Sequence, residues 1–206
     1  MYVLPLNPAQ PPMPMMASLR QATIADANAL FAARLWQAQK QLSKFPQAEI
    51  SRYLRDAENI TTIMLALANP AAYEGVYESA GQSPAFIQLE AKSFPAQVYE
   101  LVMEEGLGHP TYLDKTVKQS LLEEACWLEL SASHLGHQEQ LELLELAFAA
   151  AEEMDWRSLW FSVWQHDRYT QTLALESGMT LLGYDRLPEH IGNRRLHKML
   201  FVKTLR

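Results

Sequence analysis

At 206 residues, 49% hydrophobic and 20% charged, the chain has the size and composition of one globular domain, not of a disordered segment. A domain of that length buries roughly 70% of its unfolded surface and needs no staple; the single cysteine, Cys126, excludes an internal disulfide and fits the reducing cytosol. The net charge of −7 argues against binding along a phosphate backbone, and no uncharged apolar run reaches the roughly 18 residues of a membrane span, so neither nucleic acid nor membrane is an expected partner.

The first 17 residues hold five prolines, and no Lys or Arg precedes Arg20. They read as a tail outside the core and as a poor signal peptide. Deleting them should leave the melting temperature nearly unchanged; a loss of several degrees would mean that the tail is docked. Residues 18–22 then form a short edge strand. Thr23 and Asp26 make a capping-box start, with Asp where Glu or Gln is usual. From Ile24 the apolar residues Ala27, Phe31, Leu35, Ala38 and Leu42 step by three or four, which predicts a helix. Phe45-Pro46 breaks it, and Ile50, Leu54 and Ala57 carry the same spacing in a second helix. The stretch 60–68 is apolar on all sides and fits either a helix or a strand.

Residues 73–79 and 85–91 read as two strands of a hairpin joined across Gly81 and Pro84. The segment 93–124 contains a loop at Gly106-Leu107-Gly108-His109-Pro110 and a helix through Leu113, Val117 and Leu121. A strand at 126–131 and a loop at 133–137 lead into a helix over 138–154, with Leu141, Leu144, Phe148 and Ala151 on one side. Its glutamates Glu139, Glu142 and Glu145 read as a solvated face. A strand at 157–164, a helix at 167–176 capped by Asp167 and closed by Gly178, and final strands at 180–184 and 196–203 complete the chain. The last two flank a loop containing Gly192-Asn193. Strand, helix, strand, helix and a closing hairpin imply a mixed sheet covered by helices.

Four segments, in order, resemble the GNAT superfamily of acyl-CoA-dependent N-acyltransferases. They are Leu19-Arg20-Gln21-Ala22-Thr23-Ile24-Ala25-Asp26-Ala27; Leu128-Glu129-Leu130-Ser131-Ala132-Ser133-His134-Leu135-Gly136-His137 with its Leu-rich helix; Trp160-Phe161-Ser162-Val163-Trp164 followed by Glu176-Ser177-Gly178-Met179 and Gly183; and Met199-Leu200-Phe201-Val202-Lys203. The resemblance implies an α/β (α+β) fold with a mixed, centrally splayed sheet flanked by helices, covering 18–206 with 93–124 as an insertion that helps shape the acceptor site.

It also implies transfer of an acetyl or other acyl group from acetyl-CoA to an amine of a small molecule or protein in the cytoplasm. The alternative is a catalytically silent domain that binds a partner on the same scaffold, and a homodimer stays open in either case. The implied site residues are Glu129 as general base, and Leu130, Ser131, Leu135, Gly136, His137, Gln138, Glu139 and Gln140 for the cofactor, with no metal. Departures from the pattern are visible. The motif that cradles the diphosphate, Q/R-x-x-G-x-G/A, falls on Leu135, Gln138 and Gln140, so both phosphate-facing glycines are Gln and both must swing aside. Ala174 stands where a Tyr commonly protonates the leaving thiolate, and Asp167 stands where Asn is common.

Individual residues carry competing readings. Glu129 alternates with Trp127 and Ser131, opposite Cys126, Leu128 and Leu130; it is a base in a partly apolar cleft, or else a surface charge or an ion-pair partner. Trp160 and Trp164 share a face and either wall the cleft or pack in the core, the second being the simpler. His134 and His137 lack a nameable third metal ligand and read as loop residues. Cys126 reads as an inward-facing structural thiol.

Overall fold

The computed structural model describes residues 18–57, 59–69, 72–79, 82–91, 99–100, 125–132, 134–185 and 189–205. The predicted tail, and the loop and helix predicted within 93–124, lie outside these residues. The chain opens with β1 (Ser18–Gln21) and a 3-10 turn (Ile24–Asp26) closed by the expected capping box: Thr23 N donates to Asp26 Oδ2 at 2.8 Å. Three helices follow, α1 (Ala27–Gln41), α2 (Gln47–Ala57) and α3 (Ile60–Ala68). The last resolves the apolar stretch left open above. Asn59 Oδ1 accepts from Thr62 N at 2.8 Å, an N-cap that commits the segment to helix.

Next come β2 (Ala72–Glu78), β3 (Ala85–Glu90), the two-residue β4 (Tyr99–Glu100) and β5 (Ala125–Ser131). The second half alternates: α4 (His137–Glu153), β6 (Ser158–Trp164), α5 (Arg168–Glu176) and β7 (Thr180–Tyr184). The chain ends with β8 (Glu189–Ile191), β9 (Arg194–Leu196) and β10 (Lys198–Thr204). The region around Gly192-Asn193, expected as a loop, is thus a small hairpin of its own. It takes up Leu196, and the closing strand starts at Lys198. Gly192, at φ +59°, makes the turn. Asp167 caps α5 as expected, accepting from Thr170 N at 3.1 Å, and Gly178 closes it at φ +79°.

The main sheet runs β1-β2-β3-β5-β6-β10-β7-β4. Every neighbouring pair is antiparallel except the central β5/β6 pair, which is parallel. On one face α4 and α5 bury Leu143, Leu144, Ala147, Phe148, Ala151, Leu173 and Ala174 against Cys126, Leu128, Leu130, Leu159, Phe161 and Val163. Each large side chain so buried contributes about 1.5–3 kcal/mol, which makes this layer the main source of stability. The other face carries α1–α3, packed through Leu30, Ile63, Val76 and Phe86 and through Leu42, Ile50, Leu54 and Trp164. The alternation of β5 is as expected, with Cys126 inside the first layer, where burial pushes its thiol up to about 12 and leaves it inert.

Candidate active site

Parallel pairing of β5 with β6 runs from Ala125↔Ser158 to Leu128↔Phe161 and stops there. Beyond that point β5 stays with β3 as far as Ser131↔Phe86, while β6 stays with β10 as far as Trp164↔Lys198. The two central strands therefore part over 129–131 and 162–164, and their facing backbone groups lose the ladder bonds they would otherwise share. A cleft of about 130 Å³ opens at this split, with Glu129, Leu130 and Ser131 on one wall and Ser162 and Trp164 on the other. Arg34, Gln37 and Gln41 of α1, Tyr53 of α2 and Lys198 of β10 close it. The two tryptophans separate in role. Trp160 packs with Ala125, Leu182, Leu200 and Val202, whereas Trp164 lines the cleft with Lys198 Nζ 4.6 Å above its ring.

Glu129 faces this cleft with its side chain 28% exposed, and it does not stand alone. Register places Glu74 of β2 opposite Gln88 of β3, and Gln88 opposite Glu129, so three strands carry one polar row. Arg34 reaches that row from α1. Its Nη2 donates to Gln88 Oε1 at 2.9 Å and to Glu74 at 3.1 Å, and lies 3.8 Å from Glu129 Oε2. Glu74 is only 3% exposed; burial pushes its carboxyl up to about 7, the nearby charge of Glu129 adds to this, and Arg34 pulls the other way. Burial wins although the pair is close. Sequence reading missed Arg34, Glu74 and Gln88. A polar side chain inside each of three otherwise apolar segments was the available signal, but nothing local says that they meet.

At the other end of the split lies the N-terminus of α4, whose first-turn N–H groups have no partner within the helix and favour an anion. Gly136 is the N-cap, and its N–H donates to Glu139 Oε2 at 2.8 Å, while Gln82 Nε2 donates to Glu139 Oε1. The helix thus carries its own carboxylate where an external anion would sit. Gln138 is exposed, whereas Gln140 turns inward, 4% exposed, and donates to Leu135 O at 2.8 Å and to Tyr169 Oη at 3.1 Å. Leu135 is buried in the main core. His137 Nε2 lies 2.6 Å from Glu176 Oε2, and His134 Nε2 lies 2.9 Å from Ser83 O. Among the described residues no group of three or more His, Cys, Asp or Glu side chains could hold a metal ion.

No family model matches the sequence, and no curated protein matches it. Solved structures do match. A ribosomal-protein-alanine N-acetyltransferase from Brucella melitensis superposes with a TM-score of 0.61 at 16% identity, over 91% of this chain and 99% of that one. An acetyltransferase of the GNAT family from Streptococcus pneumoniae does so with 0.56 at 13%, over 92% and 99%. The chain has the GNAT fold. A third GNAT-fold structure, from Salmonella typhimurium, was solved with its cofactor acetyl-CoA; it superposes with 0.57 at 12% identity, over 92% and 94%.

The N-terminus of α4 and the β5/β6 split, the two places where the resemblance noted above would seat an acyl-CoA, suit that ligand unequally. The split offers backbone partners to the amides of a pantetheine arm. The helix end fits a diphosphate only with the Glu139 carboxylate turned away. Ala174, where the resemblance would place a Tyr, is fully buried in the core and brings no hydroxyl to the cleft. No helix among the described residues is long and apolar enough to cross a membrane.

Proposed function

We propose that the chain is an acyl-CoA-dependent N-acetyltransferase acting in the cytoplasm on an amine of a small molecule or protein. The observation that carries this reading is the split between 129–131 and 162–164, with Glu129 at its rim. Leu130 and Ser131 lie along the β5 wall, where backbone groups would hold the pantetheine arm. A bound acyl-CoA supplies the acyl carbon as a thioester. Glu129 accepts one proton from the acceptor's ammonium group, and the freed lone pair forms the C–N bond as the C–S bond breaks. The thiolate leaves with the electron pair; of the two hydrogens still on nitrogen, one reaches the thiolate as a proton through water and the other stays as the amide N–H.

One observation favours a second reading, in which the fold is a silent scaffold. The Glu139 carboxylate already satisfies the Gly136 N–H and would repel a diphosphate. Calorimetric titration with acetyl-CoA, on the wild type and on Glu139→Gln, separates the two. The wild type should bind weakly and the variant about 10-fold more tightly, because the substitution removes a charge next to the anion site. The same change should cost about 0.5–1 kcal/mol of stability through the weakened cap. If neither protein binds, the scaffold reading stands in place of the enzyme.

A further inference from the structure

Among the described residues that line the cleft, the cations are Arg34 and Lys198. Arg34 is 7% exposed and bonded to Glu74 and Gln88, so its charge is answered within the protein. Lys198 is placed differently. It opens β10 opposite Trp164 of β6, and its Nζ sits over the Trp164 ring on the wall facing Glu129. Glu189 of β8 forms an ion pair with that Nζ and accepts from Tyr53 Oη of α2 at 2.5 Å. The ring beneath is fixed as well, with Tyr53 edge-on at 6.5 Å and His166 stacked at 6.2 Å. Four elements thus hold one ammonium at the cleft. Stability does not account for this, because the Lys198 and Glu189 side chains are 26% and 35% exposed, where ion pairs contribute little. A cation oriented before any ligand arrives is what a binding site requires.

We propose that Lys198 binds a carboxylate of the acceptor, which makes the acceptor an amine with an acid group at its other end. That the amine end is acylated rests on the transfer proposed above; the carboxylate contact does not. The amine goes to Glu129 on β5 and the acid to Lys198 on the facing side. The carbon chain between them lies along Trp164 and Tyr53, which both line the cleft. An ammonium carries three N–H donors, so Lys198 can serve the ligand and Glu189 together. Glu189 keeps the ammonium in place when the cleft is empty and stays on it when the ligand binds. Charges of opposite sign on facing walls match a ligand that carries both signs. A simple amine leaves Lys198 without a ligand partner. A diamine brings a second ammonium against it, and the two repel.

The test offers the wild type acetyl-CoA with γ-aminobutyrate, δ-aminovalerate and ε-aminocaproate, each beside its own carboxamide, and with the diamine cadaverine. Each pair keeps the amine and the chain and changes only the charge at the far end. Thiol release should give kcat/KM about 10-fold or more higher for an acid than for its carboxamide, at one chain length at least. That ratio should fall towards one in Lys198→Met and persist in Lys198→Arg, which keeps the charge over the Trp164 ring. The wild-type panel needs no variant to fold. Carboxamides used as well as acids at every length, or cadaverine preferred, overturns the inference and leaves the transferase reading in place. Thiol release with none of the acceptors removes the transferase reading instead. The inference is then read by saturation-transfer NMR on the same compounds without acetyl-CoA. The acids should bind the wild type about 10-fold more tightly than the carboxamides and lose that advantage in Lys198→Met. Acids that bind no better than carboxamides, or not at all, overturn it.

Discussion

Exchanging Arg34 for Met should destabilise the protein by about 3 kcal/mol at pH 8, and by about half of that at pH 5. Arg34 is 7% exposed and bonded to Glu74 and Gln88, so its removal strands two buried polar side chains at any pH. The remainder depends on pH, with a definite sign. Glu74 has its folded pKa raised to about 7, above the usual carboxylate value. Its contribution is therefore intact below the unfolded value and is lost as pH climbs through the folded one. Without Arg34 the folded value rises further, and the carboxyl protonates instead of staying charged. At pH 8 the wild type lies one unit above its folded pKa, which caps the extra loss near 1.4 kcal/mol. Urea denaturation at the two pH values reads both parts. Equal losses at pH 5 and pH 8 would show that Glu74 is not the titrating partner.

Replacing Glu129 with Gln should lower turnover by roughly 10²-fold at neutral pH once an acceptor is in hand, with acetyl-CoA affinity little changed. The substitution keeps the shape and a polar end beside Arg34, and the partly exposed position tolerates it, so the loss reports chemistry and not folding. Affinity should hold because the contacts proposed for the cofactor are backbone groups of the split and the end of α4. Turnover unchanged across pH would pass the role of base to water or to the acceptor itself. A matched rise in KM with kcat constant would make Glu129 a binding group only.

The elements legible in the sequence are those written locally. The stripe of α4, the Asp167 cap, the Gly178 terminator and the hairpin of β2 and β3 each follow from residues within one element or across one short turn. The helix over 60–68 was also local, but its signal was the Asn59 cap and not periodicity, since the segment is apolar all round. Glu139 shows the same gap at the site. Its three-residue spacing from Gly136 is a capping pattern, which neither the solvated-face reading nor its place among the implied cofactor residues took into account.

By itself the sequence determined most of the helices and longer strands and the alternation of β5 residues between the two faces of the sheet, because hydrophobic period and caps act over a single element. Only the tertiary structure decided what surrounds Glu129. Glu74 and Gln88 stand 40 and 54 residues from Arg34 in the chain, and the registers of β2, β3 and β5 with the seat of α1 bring all three beside it. Register and helix docking are set by the whole packed sheet, so no single segment encodes them.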